Sequence, residues 1–190
     1  MTSYVALLRA VNVSGRNKVA MADLRRLFES LPAQAVSTYV QSGNVVFAPS
    51  GRQSESKLVA TIESRIEDTF GVSVTVLLRT SEEMNKIIRA NPLLGGGRAE
   101  SKLHVTFLAR APESSRVERV DPESGGDDEF QLRGREVYVH TPNGYGTSKL
   151  NNAFFERKLG VPATTRNWKT VSTLAHLSRQ AEEAAESERP

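Results

Sequence analysis

The residues best suited to chemistry fall in two clusters that are far apart in the chain. One is Asn143-Gly144-Tyr145-Gly146-Thr147-Ser148-Lys149-Leu150-Asn151-Asn152, between a strand-like run, Glu136 to Thr141, and a helix-like one. Backbone N–H groups lack partners at a helix start, so a lysine and hydroxyls placed there can cradle an anion. A nucleotide triphosphatase loop needs Gly-x-x-x-x-Gly-Lys-Ser/Thr. Here Ser148 precedes Lys149 and the glycine spacing differs, which excludes that loop. The same residues also suit a plain turn, with Ser148 capping the helix and Asn151 at its third position. Close behind lies Thr164-Thr165-Arg166-Asn167-Trp168-Lys169. Arg166 and Asn167 suit a phosphate, and Trp168 could stack a base, although a large aromatic at a helix start is expected in the core.

The other cluster is near the beginning. Arg9, Asn12 and Lys18 sit on a strand and on the loop leaving its carboxyl end, and Gln41 and Asn44 sit in a hairpin turn. The formal net charge is +3. Residues 1–26 carry five basic side chains against Asp23, and residues 143–170 carry five against Glu156. Each segment is thus +4, and the remainder of the chain is −5. Two basic segments in an acidic chain can form one anion-binding face, or can be scattered solvated charges. The expectation is a site where two halves meet, built from Arg9, Asn12, Lys18, Gln41, Asn44, Ser148, Lys149, Arg166 and Asn167. Its ligand would be a phosphorylated or otherwise anionic small molecule.

The elements that must hold these residues follow from periodicity. Tyr4 to Val13 reads as a central strand, apolar on both faces. Ala20 to Leu31 reads as an amphipathic helix. Val36 to Val40 and Val45 to Ala48 form a hairpin around Gln41-Ser42-Gly43-Asn44. A helix runs from about Ser54 to Phe70, stopped by Gly71. Val72 to Leu78 is a strand, and Thr80-Ser81-Glu82-Glu83 has the capping-box form before another helix. The order is βαββαβ, the ferredoxin-like unit. It recurs: strand Leu103 to Leu108, a short helix within Glu113 to Val120, a hairpin around Arg133-Gly134-Arg135, a helix stopped by Gly160, a strand at Ala163 to Arg166, and a last helix. The predicted class is α+β, two ferredoxin-like halves (1–90 and 91–190) from an internal duplication, with a C-terminal helix. Phe70-Gly71-Val72 echoes Leu159-Gly160-Val161, and Ser42-Gly43-Asn44-Val45-Val46-Phe47 echoes Arg133-Gly134-Arg135-Glu136-Val137-Tyr138.

Several function classes drop out. There is no cysteine, so disulfides, thiolate catalysis and zinc–sulfur sites are excluded. His104, His140 and His176 show no metal-ligand spacing, and no metal or cofactor is expected. The apolar run at Tyr4 to Leu8 is too short for a leader core or a membrane span, so the expected location is cytoplasmic, with no membrane partner. Glu156 has no second carboxylate or histidine near it in sequence to complete an acid–base pair. Arg133-Gly134-Arg135-Glu136-Val137-Tyr138-Val139 begins like an RNA-recognition strand, then puts charges where the first aromatic and small residue belong. With 6% aromatic residues a stacking platform is thin. Nucleic-acid binding through basic groups stays open as the less favoured partner, and a non-catalytic interaction protein as a third reading.

Leu7-Leu8-Arg9-Ala10-Val11-Asn12-Val13-Ser14-Gly15 with Asn17-Lys18-Val19, Tyr39-Val40-Gln41-Ser42-Gly43-Asn44-Val45-Val46-Phe47, Ser148-Lys149-Leu150 and Thr164-Thr165-Arg166-Asn167-Trp168 resemble the DUF1697 family of proteins of unknown function. The blocks occur in order over nearly the whole chain. Ala10 and Ser14 stand where glycine is common in the family. The resemblance implies a bacterial cytoplasmic α+β protein with two related halves, and it implies no activity.

Overall fold

The computed structural model describes residues 2–12 and 17–187. Val13, Ser14, Gly15 and Arg16 therefore lie outside the described residues. The chain divides into two compact units: one runs to Lys86 and resumes at Thr173, and the other is Ile87–Ser172.

The first unit contains β1 (Tyr4–Arg9), α1 (Met21–Glu29), β2 (Ala33–Thr38), β3 (Asn44–Pro49), α2 (Glu55–Phe70) and β4 (Thr75–Thr80), followed by α3 (Ser81–Arg89). Its antiparallel sheet has the order β2-β3-β1-β4. β1 is central, as its unbroken apolar run requires, and Val5, Ala6, Leu7 and Leu8 are all buried. The strand is shorter than the apolar run suggests. It ends at Arg9 because Ala10 takes a left-handed backbone, φ 60°. Alternate residues Ala6 and Leu8, with Val45, Phe47, Val76 and Leu78, face α1 and α2 and form one core. α2 is bounded as its sequence indicates: Ser54 accepts from Lys57 N, and Gly71 stops the helix at φ 66°. The capping box also forms. Thr80 Oγ1 accepts from Glu83 N at 3.1 Å, and Glu83 Oε2 accepts from Thr80 N at 2.9 Å.

The second unit contains β5 (Leu103–Leu108), α4 (Ser114–Val117), β6 (Glu129–Arg133), β7 (Glu136–His140), α5 (Asn152–Leu159) and β8 (Ala163–Asn167), followed by α6 (Trp168–Ser187). The sheet order is β6-β7-β5-β8, again antiparallel throughout. The two sheets share one pairing register. Val5 pairs with Val46 and Arg79; Val105 pairs with Tyr138 and Arg166. Leu8 N donates to Gly43 O, and Leu108 N to Arg135 O, both at 2.8 Å. The chain is therefore α+β with two ferredoxin-like sheets and a C-terminal helix.

Other expectations change as well. This register matches Gly43 to Arg135 and Phe47 to Val139, so the hairpin echo read from sequence is one residue out of step. A one-residue slip reverses the faces of a strand: Phe47 joins the core of its unit, and Tyr138 points to the opposite face, where its Oη donates to Ile87 O at 3.2 Å. Ser148 does not cap α5. Asn151 does, accepting from Phe154 N at 3.0 Å, because an extended stretch separates the Tyr145–Thr147 turn from the helix. The compact units divide the last helix at Thr173. From there it belongs with the first unit, where Ser3 Oγ donates to Ser178 O at 2.6 Å. The polar end of α6 remains helical to Ser187, with Ala185 buried.

Candidate functional site

Within the first unit, the loop leaving β1 and the β2–β3 hairpin form one corner. Asn12 is its clamp. Its Nδ2 donates to Val19 O at 2.8 Å and to Gln41 O at 3.0 Å, and its Oδ1 accepts from Val19 N at 2.9 Å. Asn17 Nδ2 donates to Ala10 O at 3.1 Å, and Asn12 N donates to Asn17 O at 3.2 Å. Asn44 is buried; its Nδ2 donates to Tyr39 O at 3.0 Å and Ser42 Oγ at 2.9 Å, which closes the hairpin. The five residues expected here serve in different capacities. Asn12 and Asn44 hold the backbone, Arg9 is half-buried at the end of β1, and Lys18 and the Gln41 side chain are exposed.

The corner is conformationally unusual. Among the described residues, five non-glycine positions have positive φ, and four are here: Ala10 (60°), Asn12 (55°), Asn17 (48°) and Val40 (51°). A left-handed conformation brings Cβ against the following carbonyl, and for a β-branched residue it is a true outlier. Val40 is also 48% exposed. Ala10 occupies a position where the sequence resemblance expects glycine, and its φ supplies the reason, since glycine has no Cβ to strain. α1 starts beside this loop at Ala20, with no side chain capping it. By contrast α2, α3, α5 and α6 are capped by Ser54, Thr80, Asn151 and Asn167.

Elsewhere in the first unit, a cavity of about 400 Å³ lies where β3 leads into α2, lined by Thr2, Tyr4, Pro49, Gly51, Arg52, Gln53 and Glu182. Burial pushes the Tyr4 phenol above its ordinary value, with Glu55 and Glu83 adding to the effect.

In the second unit the Gly144-x-Gly146 stretch uses its polar groups internally. Ser148 Oγ donates to Asp128 Oδ2 at 2.6 Å and accepts from Leu150 N at 3.0 Å, and Asn143 Nδ2 donates to Asp127 Oδ2 at 3.3 Å. Two carboxylates therefore accompany the exposed Lys149, an environment that disfavours an added anion. Asn167 has an exposed side chain but caps α6, accepting from Thr170 N at 2.8 Å. Glu156 accepts from Ala163 N at 2.8 Å, which fixes β8 to its helix. Trp168 is buried, as a core aromatic. Arg166 is buried too: Nη1 donates to Thr164 Oγ1 at 2.7 Å and to Thr165 O at 2.9 Å. Burial lowers its pKa to about 10, so it stays charged at neutral pH.

Sequence periodicity did not reveal the polar cluster beneath this loop. The His104 and Tyr145 rings stack at 4.7 Å. Thr106 and Thr165 share a hydroxyl hydrogen bond of 2.7 Å, and Thr165 Oγ1 donates to Asn152 Oδ1 at 2.6 Å. Burial lowers the His104 pKa, opposed by the Lys102 backbone. Burial raises that of Tyr145, opposed by Thr165, the Asn152 backbone and the Arg166 guanidinium. Both are therefore neutral at pH 7. The available signal was Thr106 in an otherwise largely apolar β5 and the Thr164-Thr165 pair in β8; Thr106 faces Thr165 where the first unit has Ala6 facing Leu78.

No helix among the described residues is long and apolar enough to cross a membrane. No curated protein matches the chain in sequence. Among solved structures it is similar to the conserved bacterial protein SP0830 from Streptococcus pneumoniae, with a TM-score of 0.67 and 23% identity, covering 93% of this chain and 98% of that one. That likeness is one of fold. The sequence pattern of the family described as "Protein of unknown function (DUF1697)" matches residues 1–138, which include the whole first-unit corner and stop short of Ser148, Lys149, Arg166 and Asn167, and the chain belongs to that family.

Proposed function

We propose that the protein binds a small phosphorylated or otherwise anionic ligand at the first-unit corner, between the β1–α1 loop and the β2–β3 hairpin. The observation that carries this reading is the concentration of left-handed non-glycine backbone at Ala10, Asn12, Asn17 and Val40. At Ala10 and Val40 this conformation costs on the order of 1–2 kcal/mol each, and less at the two asparagines, which adopt it more readily; strain of this kind clusters at ligand sites. The sign of the ligand follows from the groups around it. Lys18 is exposed, Arg9 lies at the end of β1, and the start of α1 presents backbone N–H groups and the positive end of the helix dipole. Asp23 in that first turn is paired with Arg26. Asn12 then acts as a positioning residue, holding both loops in register. The corner also lies inside the stretch matched by the family.

The test is a thermal-shift screen of inorganic phosphate, nucleotides, sugar phosphates and short oligonucleotides on the wild type and on Lys18→Ala. A ligand of the native state raises Tm in proportion to RT ln(1 + [L]/Kd). The expected result is a small phosphate ester that shifts the wild type, with affinity falling about tenfold in Lys18→Ala. An oligonucleotide that binds with a steep salt dependence would favour the nucleic-acid reading instead. A screen with no shift, or one that Lys18→Ala leaves unchanged, would remove the proposal.

A further inference from the structure

The helix over the second sheet is much shorter than the one that covers the first. α1 runs for nine residues, whereas α4 is four residues long. In the first unit Leu24, Leu27 and Phe28 of α1 fill the space over the sheet, and Phe28 meets the edge of Phe47 with ring centroids 5.2 Å apart. In the second unit, β6 and β7 present Phe130, Leu132 and Val137 to that space, and α5 presents Phe155 and Leu159. Only Val117, Val120 and Pro122 come over them. What is left is a cavity of about 280 Å³ whose lining side chains are all apolar. A cavity of roughly 150 Å³ with such a lining holds benzene, so this one has room for a longer hydrocarbon. Phe130, Leu132, Val117 and Val120 are only partly buried, as residues bordering an unfilled space would be.

Two arginines stand beside one edge of this cavity. Leu159 lines it, and the next residue, Gly160, is met by two guanidinium groups. Arg110 Nη2 donates to Gly160 O at 3.2 Å. Arg116, on the turn that also carries Val117, packs on Gly160 so closely that a Cβ there would lie 2.8 Å from Cζ.

We infer that this cavity binds a small amphiphilic carboxylate, its aliphatic tail against Phe130, Leu132 and Phe155 and its head on Arg116 and Arg110. Guanidinium groups bind carboxylates with two parallel hydrogen bonds, which orients the tail toward the apolar lining. The site is separate from the proposed anion corner and does not depend on it.

The test uses the full chain and methyl-resolved NMR with hexanoate, octanoate, 1-octanol and acetate. Octanoate is expected to shift the methyl signals of Val117, Leu132, Val137 and Leu159 saturably, and acetate to leave them in place. Each added methylene from hexanoate to octanoate should tighten binding about fourfold. Arg116→Gln should weaken octanoate at least fivefold and leave 1-octanol unchanged. Val120→Phe, which fills the cavity, should abolish binding; Leu132→Phe serves if that variant does not give a folded spectrum. Octanoate that moves none of these signals, or binds the filled variant equally well, overturns the site. Octanoate affinity unchanged in Arg116→Gln overturns the role given to the head group.

Discussion

The two units share their strand order, their register and the way the chain leaves them, and they differ in what lies over the sheet. In each, an edge strand carries a buried arginine opposite a valine of the central strand: Arg79 faces Val5, and Arg166 faces Val105. In each, the next residue caps a helix, Thr80 in one and Asn167 in the other. Over the first sheet the packing is apolar, with Tyr4 stacked on Phe47 and Ala6 facing Leu78. At the same places in the second, His104 stacks on Tyr145 and Thr106 bonds to Thr165. The frame is thus set by backbone pairing and by the strand-to-helix exits, which leave little freedom. Away from that frame the units differ: left-handed backbone and an exposed Lys18 in one, a buried polar cluster and an apolar cavity in the other.

The strongest way to break this comparison is at the arginines. Arg79→Ala and Arg166→Ala should each destabilise the protein by about 3 kcal/mol, since each removes a large buried side chain and its hydrogen bonds. Urea unfolding measures this. Costs within about 1 kcal/mol of each other fit equivalent positions; a loss typical of a surface residue at either site would end the equivalence. The caps offer a finer version. Thr80→Ala and Asn167→Ala should each cost about 1 kcal/mol, and a neutral effect at one of them would show that the two exits are not alike in energy.

The smallest effect separates the covering layers through pH. Burial depresses the folded-state pKa of His104. As pH falls below the ordinary histidine value of about 6.5, the unfolded chain takes up the proton first. The corresponding stability is complete above that pH and declines on the acid side. His104→Phe keeps a ring on Tyr145 and removes the titration, so its Tm should fall less steeply than the wild type's between neutral and mildly acid pH. Parallel curves would mean that the histidine is not held neutral by its surroundings.

Elements governed by local chemistry were legible in the residues alone. Gly71 and Gly160 stop helices because only glycine takes a left-handed cap freely, and Thr80 with Glu83 forms a capping box because both groups lie within one turn. Leu103–Leu108 is a strand with the bounds its pattern indicates. The capacity of polar side chains was not legible. Asn12, Asn44 and Ser148 look like ligand-binding groups by type, yet their hydrogen bonds go to neighbouring backbone and to Asp128. A sequence does not say which orphan backbone groups a fold will create.

By itself, then, the sequence determined two βαββαβ frames and the presence of polar clusters, because periodicity and capping act over a few residues. Only the tertiary structure decided which face each strand presents. It matched Phe47 to Val139 and not Tyr138, buried Arg166, brought His104 onto Tyr145, and left a cavity where α4 is too short to cover β6. Those outcomes depend on register and on what packs above a sheet, which are contacts between residues distant in the chain.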